Sequence, residues 1–286
     1  CTDEFQALID FNNGQYKTIL LPKGQYLISA PITLGAETKL LGVGNSRSII
    51  ATHKDWKTTE RTDVIRTVDS ETATTMLAHL EIMYKTAPAE EDHFTALRWR
   101  AGRHSLTRAV WPRPSGGGGG TQRGNDNYEL WFSGNAGGKH YGIGLGPNTP
   151  TYTPNHRRLY IDQTHEPLHF YNVNVEDGHG DAQGEIYKSR NVVIYGIKSE
   201  DDNGMLYNSS NNCALFNYGA KTMVKLVGDC NDILMYELGP KFNSGRWESH
   251  LLLLSETFTG NSPNPLSIPL ERSEERRVGK ECRSRW

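Results

Sequence analysis

An all-β solenoid is the fold class this sequence predicts, and three observations predict it. In the second half, the segments PLHFYNV, NVVIYGI, NCALFNY and DILMYEL share one apolar template: an apolar residue, another two on, and another three further. The triplets are Leu168, Phe170, Val173; Val192, Ile194, Ile197; Cys213, Leu215, Tyr218; and Ile233, Met235, Leu238, at offsets of 24, 21 and 20 residues. Such a period, built from short strands, describes coils that bury their apolar residues only by stacking on one another. The first half adds short apolar pairs at two-residue spacing, separated by Pro or Gly turns. Composition is the third observation: 29 glycines among 286 residues, with few strongly helical stretches.

From the N-terminus, TDEFQALIDFNNG is the one segment that reads as a helix, with Thr2 as N-cap, Phe5, Leu8 and Ile9 as its apolar positions, and an Asn-Asn-Gly stop. Ile19 with Leu21, Tyr26 with Ile28, and Ile32 with Leu34 then mark three short strands. Residues 51–156 show no clear template. Within them, the stretch from Arg98 to Asn127 has five arginines between Arg98 and Arg113, then five consecutive glycines. It reads as a long loop or a pair of coils with an insertion. Asn191, Asn212 and Asp232 stand one residue before successive triplets. They are either turn residues or rungs of a ladder bonded along the stack. LLLLSETF, from Leu251, predicts a closing strand.

The opening helix, LLPKGQYLISAPITL (Leu20 to Leu34) and LLGVG (Leu40 to Gly44) resemble the start of right-handed parallel β-helix proteins of the pectate-lyase-like superfamily. There a helix caps the first coil and a P-x-G-x-Y turn follows the first strand. The resemblance covers about residues 1–50 and 157–240. It implies one right-handed parallel β-helix domain over 1–271 with a capping helix at 1–13. It also implies secretion, or a periplasmic or cell-surface location, and a polysaccharide partner. Leucine-rich repeats share the period but require a leucine-and-asparagine consensus absent here.

The repeat register supplies candidate chemistry. Three residues after each triplet come Glu176, Glu200, Lys221 and Lys241, one column at the ~4.8 Å spacing of paired strands. Two carboxyls that close split their proton affinities, giving an acid and a base or nucleophile, as glycosidases use. Glu176 and Glu200 are therefore the expected pair, with Asp181 as a wider partner and Asp201 beside Glu200. Solvated turn residues are the alternative. Trp99, Trp131, Tyr141 and Tyr171 are expected to stack on sugars, with His179 and Lys198 beside them. Each of those aromatics also fits a core position. The resemblance adds a second chemistry, β-elimination from a uronate, with Ca²⁺ on Glu200, Asp201 and Asp202 and Lys198 or an arginine as base. A hydrolase needs no cofactor. A non-catalytic glycan-binding β-helix of adhesin or tailspike type is the third reading.

Residues 272–286, RSEERRVGKECRSRW, match the in-frame translation of a short-read sequencing adapter. They are expected to be non-native, from a metagenomic assembly whose natural chain is cut near Glu271; Cys1 in place of Met predicts a fragment or a processed start. The tail carries six of the 31 basic and three of the 33 acidic residues, leaving 25 against 30. That balance argues against a nucleic-acid partner. No apolar run approaches the ~20 residues of a membrane helix, so no membrane partner is expected. Cys213 and Cys230 make no disulfide framework or zinc pattern. GNAGGKH lacks the Walker spacing, GVGNSR the dinucleotide fingerprint, and no G-x-S-x-G occurs. His179 with Asp181 lacks a third metal ligand.

Overall fold

The computed structural model describes residues 2–84, 92–114, 128–144, 154–176, 180–199, 204–220, 224–240 and 250–254. Helix α1 (Thr2–Asn12) leads to β1 (Thr18–Leu21), β2 (Gly24–Ile28), β3 (Ile32–Leu34), β4 (Lys39–Gly42), β5 (Ser48–Thr52), β6 (Thr58–Thr67), β7 (Met76–Tyr84) and β8 (Asp92–Trp99). There follow β9 (Leu106–Pro114), β10 (Tyr128–Ser133), β11 (Gly138–Gly144), β12 (Arg157–Asp162), β13 (Leu168–Asn174) and β14 (Gly184–Tyr187). The last are β15 (Val192–Ser199), β16 (Met205–Asn208), β17 (Asn211–Ala220), β18 (Lys225–Val227), β19 (Asn231–Pro240) and β20 (His250–Leu254).

From β6 to β19 the chain alternates between two sheets. The first runs β1-β4-β7-β9-β11-β13-β15-β17-β19-β20, with β2 joined through β5 to β7; the second runs β3-β6-β8-β10-β12-β14-β16-β18. Each strand pairs in parallel with its equivalent one coil away, as β13 does with β15 and β12 with β14, and among the described residues only β20 lies antiparallel, on β19. This is a right-handed parallel β-helix, the hand that parallel crossovers take.

The apolar template is the register itself. Leu168 pairs with Val192, Phe170 with Ile194, and Val173 with Ile197; Cys213 pairs with Ile233, Leu215 with Met235, and Tyr218 with Leu238. Every member whose side chain is described is buried. The two-then-three spacing has a backbone cause. Between the second and third apolar positions lies a residue with positive φ: Gly142 at 58°, Asn172 at 61°, Gly196 at 79° and Asn217 at 55°. That left-handed residue bends β11, β13, β15 and β17 each into two legs and resets which face points inward. Gln163, Lys188, Ser209 and Gly228 have positive φ directly after second-sheet strands, and so do Asn191, just before β15, and Asn212 and Asp232, at the second positions of β17 and β19. Both readings of those last three residues hold in part: they turn the chain, and the Asn212 Nδ2 donates to Asn191 Oδ1 at 2.7 Å. The connections from first sheet to second are of unequal length.

Residues 51–156 continue the same coils, because β5 to β11 pair without a break in order. The template fades there since stack positions are filled by other residues. His140 pairs with Phe170 on one side and Thr107 on the other, and Gly138 pairs with Leu168. Buried His140 is satisfied by Thr107 Oγ1 at 2.9 Å from Nδ1 and the Gly137 carbonyl at 3.2 Å from Nε2, among Trp99, Phe132 and Phe170. Burial holds its pKa down at about 3. The interior also holds an ion pair, Arg158 Nη1 to Glu129 Oε1 at 2.6 Å. Burial pushes the Glu129 carboxyl up, against the pull of Arg158 and a hydrogen bond from Tyr84.

Helix α1 caps the first coil by burying Phe5 and Ile9, while Leu8 stays exposed, contrary to expectation. Its polar side chains satisfy the open strand edge. Gln6 Nε2 donates to the Thr33 carbonyl at 2.9 Å and its Oε1 accepts the Thr33 N–H at 2.8 Å. Thr2, expected to cap its own helix, accepts the Ser29 N–H at 2.8 Å instead.

Candidate functional site

Two outer faces of the solenoid carry chemistry. On the first sheet, Tyr141, Tyr171, Tyr195 and Phe216 fall in one outward register. Their rings stack at 4.7, 5.0 and 5.1 Å with interplanar angles of 10°, 9° and 6°. Ring faces are spent on one another along this ladder, so it offers mainly edges and hydroxyls to solvent. At the far end of the same strands lies Glu176. Lys198 forms an ion pair with its Oε1, Asn174 Nδ2 donates to its Oε2 at 2.9 Å, and its N–H donates to Asn174 Oδ1 at 3.0 Å. Asn174 pairs with Lys198, which accounts for that contact. Glu200, Asp201 and His179 lie outside the described residues, as do Lys221 and Lys241. Asp181 is exposed, and its N–H donates to the Pro154 carbonyl at 3.0 Å.

Trp99 is a correction. Expected to stack on sugar, it is fully buried, its Nε1–H donating to the Gly137 carbonyl at 3.2 Å. The cause is register: Trp99 pairs with inward Phe132, whereas its neighbour Arg98 pairs with outward Trp131.

The second sheet's outer face is more densely furnished, and the sequence reading found only Trp131 there. Pairing places Arg66, Arg98, Trp131, Tyr160, Glu185 and Leu206 in one column across six coils. The Arg98 guanidinium carbon stands 3.9 Å from the Trp131 ring centroid, and that of Arg61 stands 4.1 Å from Tyr128 and 5.5 Å from Trp131. Tyr128 packs on Tyr160 at 4.0 Å and edge-on to Trp131 at 5.4 Å. Acidic groups interleave with these rings. Asp63 is buried beside Arg98, Arg66, Arg100 and Arg61; burial pushes its carboxyl up and those cations oppose the shift. Burial lowers Arg98, which Asp63 and Asp162 counter, and raises the Tyr160 phenol, reinforced first by Asp162. Glu185 accepts from Arg157 Nε at 2.9 Å and Asn208 Nδ2 at 3.2 Å.

This concentration of desolvated, mutually perturbing groups on one face makes it the candidate surface. A sequence signal for it exists. In YELWFS, RRLYID and GEIY the inward pairs Leu130/Phe132 and Leu159/Ile161, with Ile186, alternate with Trp131, Tyr160 and Glu185. Among the described residues no cluster of three or more His, Cys, Asp or Glu could hold a metal ion. The Glu200 to Asp202 run considered for Ca²⁺ lies outside them.

No protein-family model and no curated protein sequence matches the chain. Among solved structures it is similar to the pre-mature bacteriophage phi29 gene product 12, at 13% identity and a TM-score of 0.45, over 83% of this chain and 32% of that one. It is also similar to the enzymatically active domain of bacteriophage CBA120 tailspike protein 2, at 11% identity and a TM-score of 0.40, over 80% of this chain and 44% of that one. The chain thus spans about a third to under half of the length of these structures. At these values the fold rests on the strand pairing itself.

Proposed function

We propose that the chain is an extracytoplasmic carbohydrate-active β-helix that holds a polysaccharide across the outer face of the second sheet and hydrolyses it with a carboxylate pair. The observation that carries this reading is the column through Arg98, Trp131, Tyr160 and Glu185, flanked by Asp63 and Asp162. One position of the column falls in each coil, so a linear polymer lying along the solenoid would meet cationic, aromatic and acidic contacts in successive coils. Asp162 stands two residues beyond Tyr160, the strand partner of Glu185. Strand spacing and rise put the Asp162 and Glu185 backbones ~8 Å apart, comparable to the carboxyl separation that leaves room for water in an inverting hydrolase. Glu176, just beyond β13, with Glu200, which lies outside the described residues, is the other candidate pair.

A second reading is favoured by one feature. Both oxygens of Glu176 and both of Glu185 already hold donors, which suits carboxylates that bind or support rather than transfer protons. In that case the face binds glycan without cleaving it. β-Elimination on a uronate, with Ca²⁺ at Glu200 to Asp202, stands third.

Incubation with a glycan panel separates the three: new reducing ends for a hydrolase, unsaturated products for a lyase, retained intact glycan for a binder. Under the first reading, Asp162→Asn or Glu185→Gln abolishes reducing-end release. Unchanged release from both variants transfers the assignment to Glu176 and Glu200, tested by Glu176→Gln and Glu200→Gln. Activity surviving all four substitutions ends the carboxylate-pair reading.

A further inference from the structure

We infer that the outer face of the second sheet selects a glycan bearing an oxyanion, a carboxylate, sulfate or phosphate, and that Arg98 holds that group. The inference rests on that face being the glycan site. Arg98 lies 3.9 Å over the Trp131 ring, which fixes the guanidinium plane before any ligand arrives. Its Nε reaches Ser133 Oγ at 3.4 Å. Its two terminal nitrogens bond no side chain or carbonyl among the described residues. Arg66, its neighbour in the column, likewise bonds only through Nε among the described residues, to Thr33 Oγ1 at 3.0 Å, whereas three other arginines are engaged by carboxylates. Arg103 pairs with Glu71 and Glu166 at 2.9 and 2.8 Å, Arg157 with Glu185 at 2.9 Å and Arg158 with Glu129 at 2.6 Å.

Asp63 and Asp162 lie near enough to act electrostatically on Arg98, yet neither bonds it. A flat, pre-oriented fork with unused donors matches a planar or tetrahedral oxyanion in a two-point bond. Because Arg98 covers one face of Trp131, the indole serves here as the bed of the fork rather than as a sugar platform. The surroundings agree in sign: Asp63 is flanked by Arg98, Arg66, Arg100 and Arg61. With Asp162 and Asp69 also close to Arg98 and Asp69 paired to Arg100 at 3.8 Å, four cations stand against three carboxylates, a small positive patch on a chain that, without its last fifteen residues, has 25 basic against 30 acidic groups. Such a patch selects an anionic substituent locally, where the whole chain does not attract polyanions.

The test is affinity electrophoresis of the full chain through gels holding polygalacturonate, dextran sulfate or poly(glycerol phosphate), with unmodified dextran and fully methyl-esterified pectin as neutral partners. At least one anionic polymer should retard the chain. Arg98→Gln should weaken that binding roughly 10-fold or more, the loss expected for one charge-assisted contact. Arg98→Lys, a point charge without the fork, should recover part of it. Arg47→Gln, in an exposed turn elsewhere, removes the same charge and should change binding little. Circular dichroism confirms that each variant is folded, and the Lys variant carries the test if Gln is not. Anionic binding unaffected by Arg98, equal losses for Arg98→Gln and Arg47→Gln, or neutral polymers held as tightly as charged ones would overturn the inference and leave the glycan reading standing. Failure of every polymer, neutral and charged, to bind or be cleaved would overturn both.

Discussion

Ile194 and Val193 are adjacent on β15, and the register makes them opposites. Ile194 is fully buried between Phe170 and Leu215 of the neighbouring coils, while Val193 faces outward beside His169 and Ala214. Ile194→Ala removes three carbons from a stack that cannot collapse along its axis, because strand spacing is fixed by backbone hydrogen bonds. The cost should be about 3 kcal/mol, within the range for buried Ile to Ala. For a domain of this size, that lowers the melting temperature by about 6–12 °C. Val193→Ala removes two half-exposed carbons and should cost no more than about 1 kcal/mol. Thermal unfolding followed by circular dichroism reads both. Equal losses, or a larger loss at Val193, would mean that the strand is shifted by one residue, which turns every side chain to the other face.

Three further outcomes follow from single residues. His140 has a folded pKa of about 3 against an unfolded value near 6.5, so between these values the unfolded chain binds the extra proton. Stability is therefore full above pH 6.5 and falls as pH drops through the window, by up to about 1.4 kcal/mol per pH unit; urea titrations at several pH values should show a shallower slope for His140→Leu. Asn172, exposed and at φ 61°, should tolerate glycine, whereas Asn172→Val forces a β-branched residue into the left-handed region and should cost about 1–3 kcal/mol. Arg158→Met should destabilise by about 3–5 kcal/mol by stranding the buried Glu129 charge, and the same denaturant titrations measure it.

How far the sequence was legible depended on what filled the inward positions. Where they were Leu, Phe, Val and Ile, as from Leu168 to Met235, the template emerged with its period and its register. Where they were Thr107, Gly138 and His140, the same coils were invisible, because a polar residue in a stack is paid for by one specific partner that spacing does not reveal. Trp99 illustrates the limit of residue type: only its pairing with Phe132 turns it inward, away from the face that Arg98 occupies. The capping helix could be read from its apolar positions, but not Gln6 or Thr2, whose role is to satisfy strand backbone twenty-odd residues away. The candidate face was missed because its column joins residues about 25 to 33 positions apart across unequal connections.

The claim that the second sheet's outer face meets the glycan is tested most directly by hydroxyl-radical footprinting of the chain with and without a bound polysaccharide from the panel. Protection of Trp131 and Tyr160, with Tyr171 and Tyr195 oxidised as before, is the predicted result. Protection of the Tyr171 and Tyr195 ladder with Trp131 and Tyr160 unchanged would contradict it and move the site to the first sheet, beside Glu176.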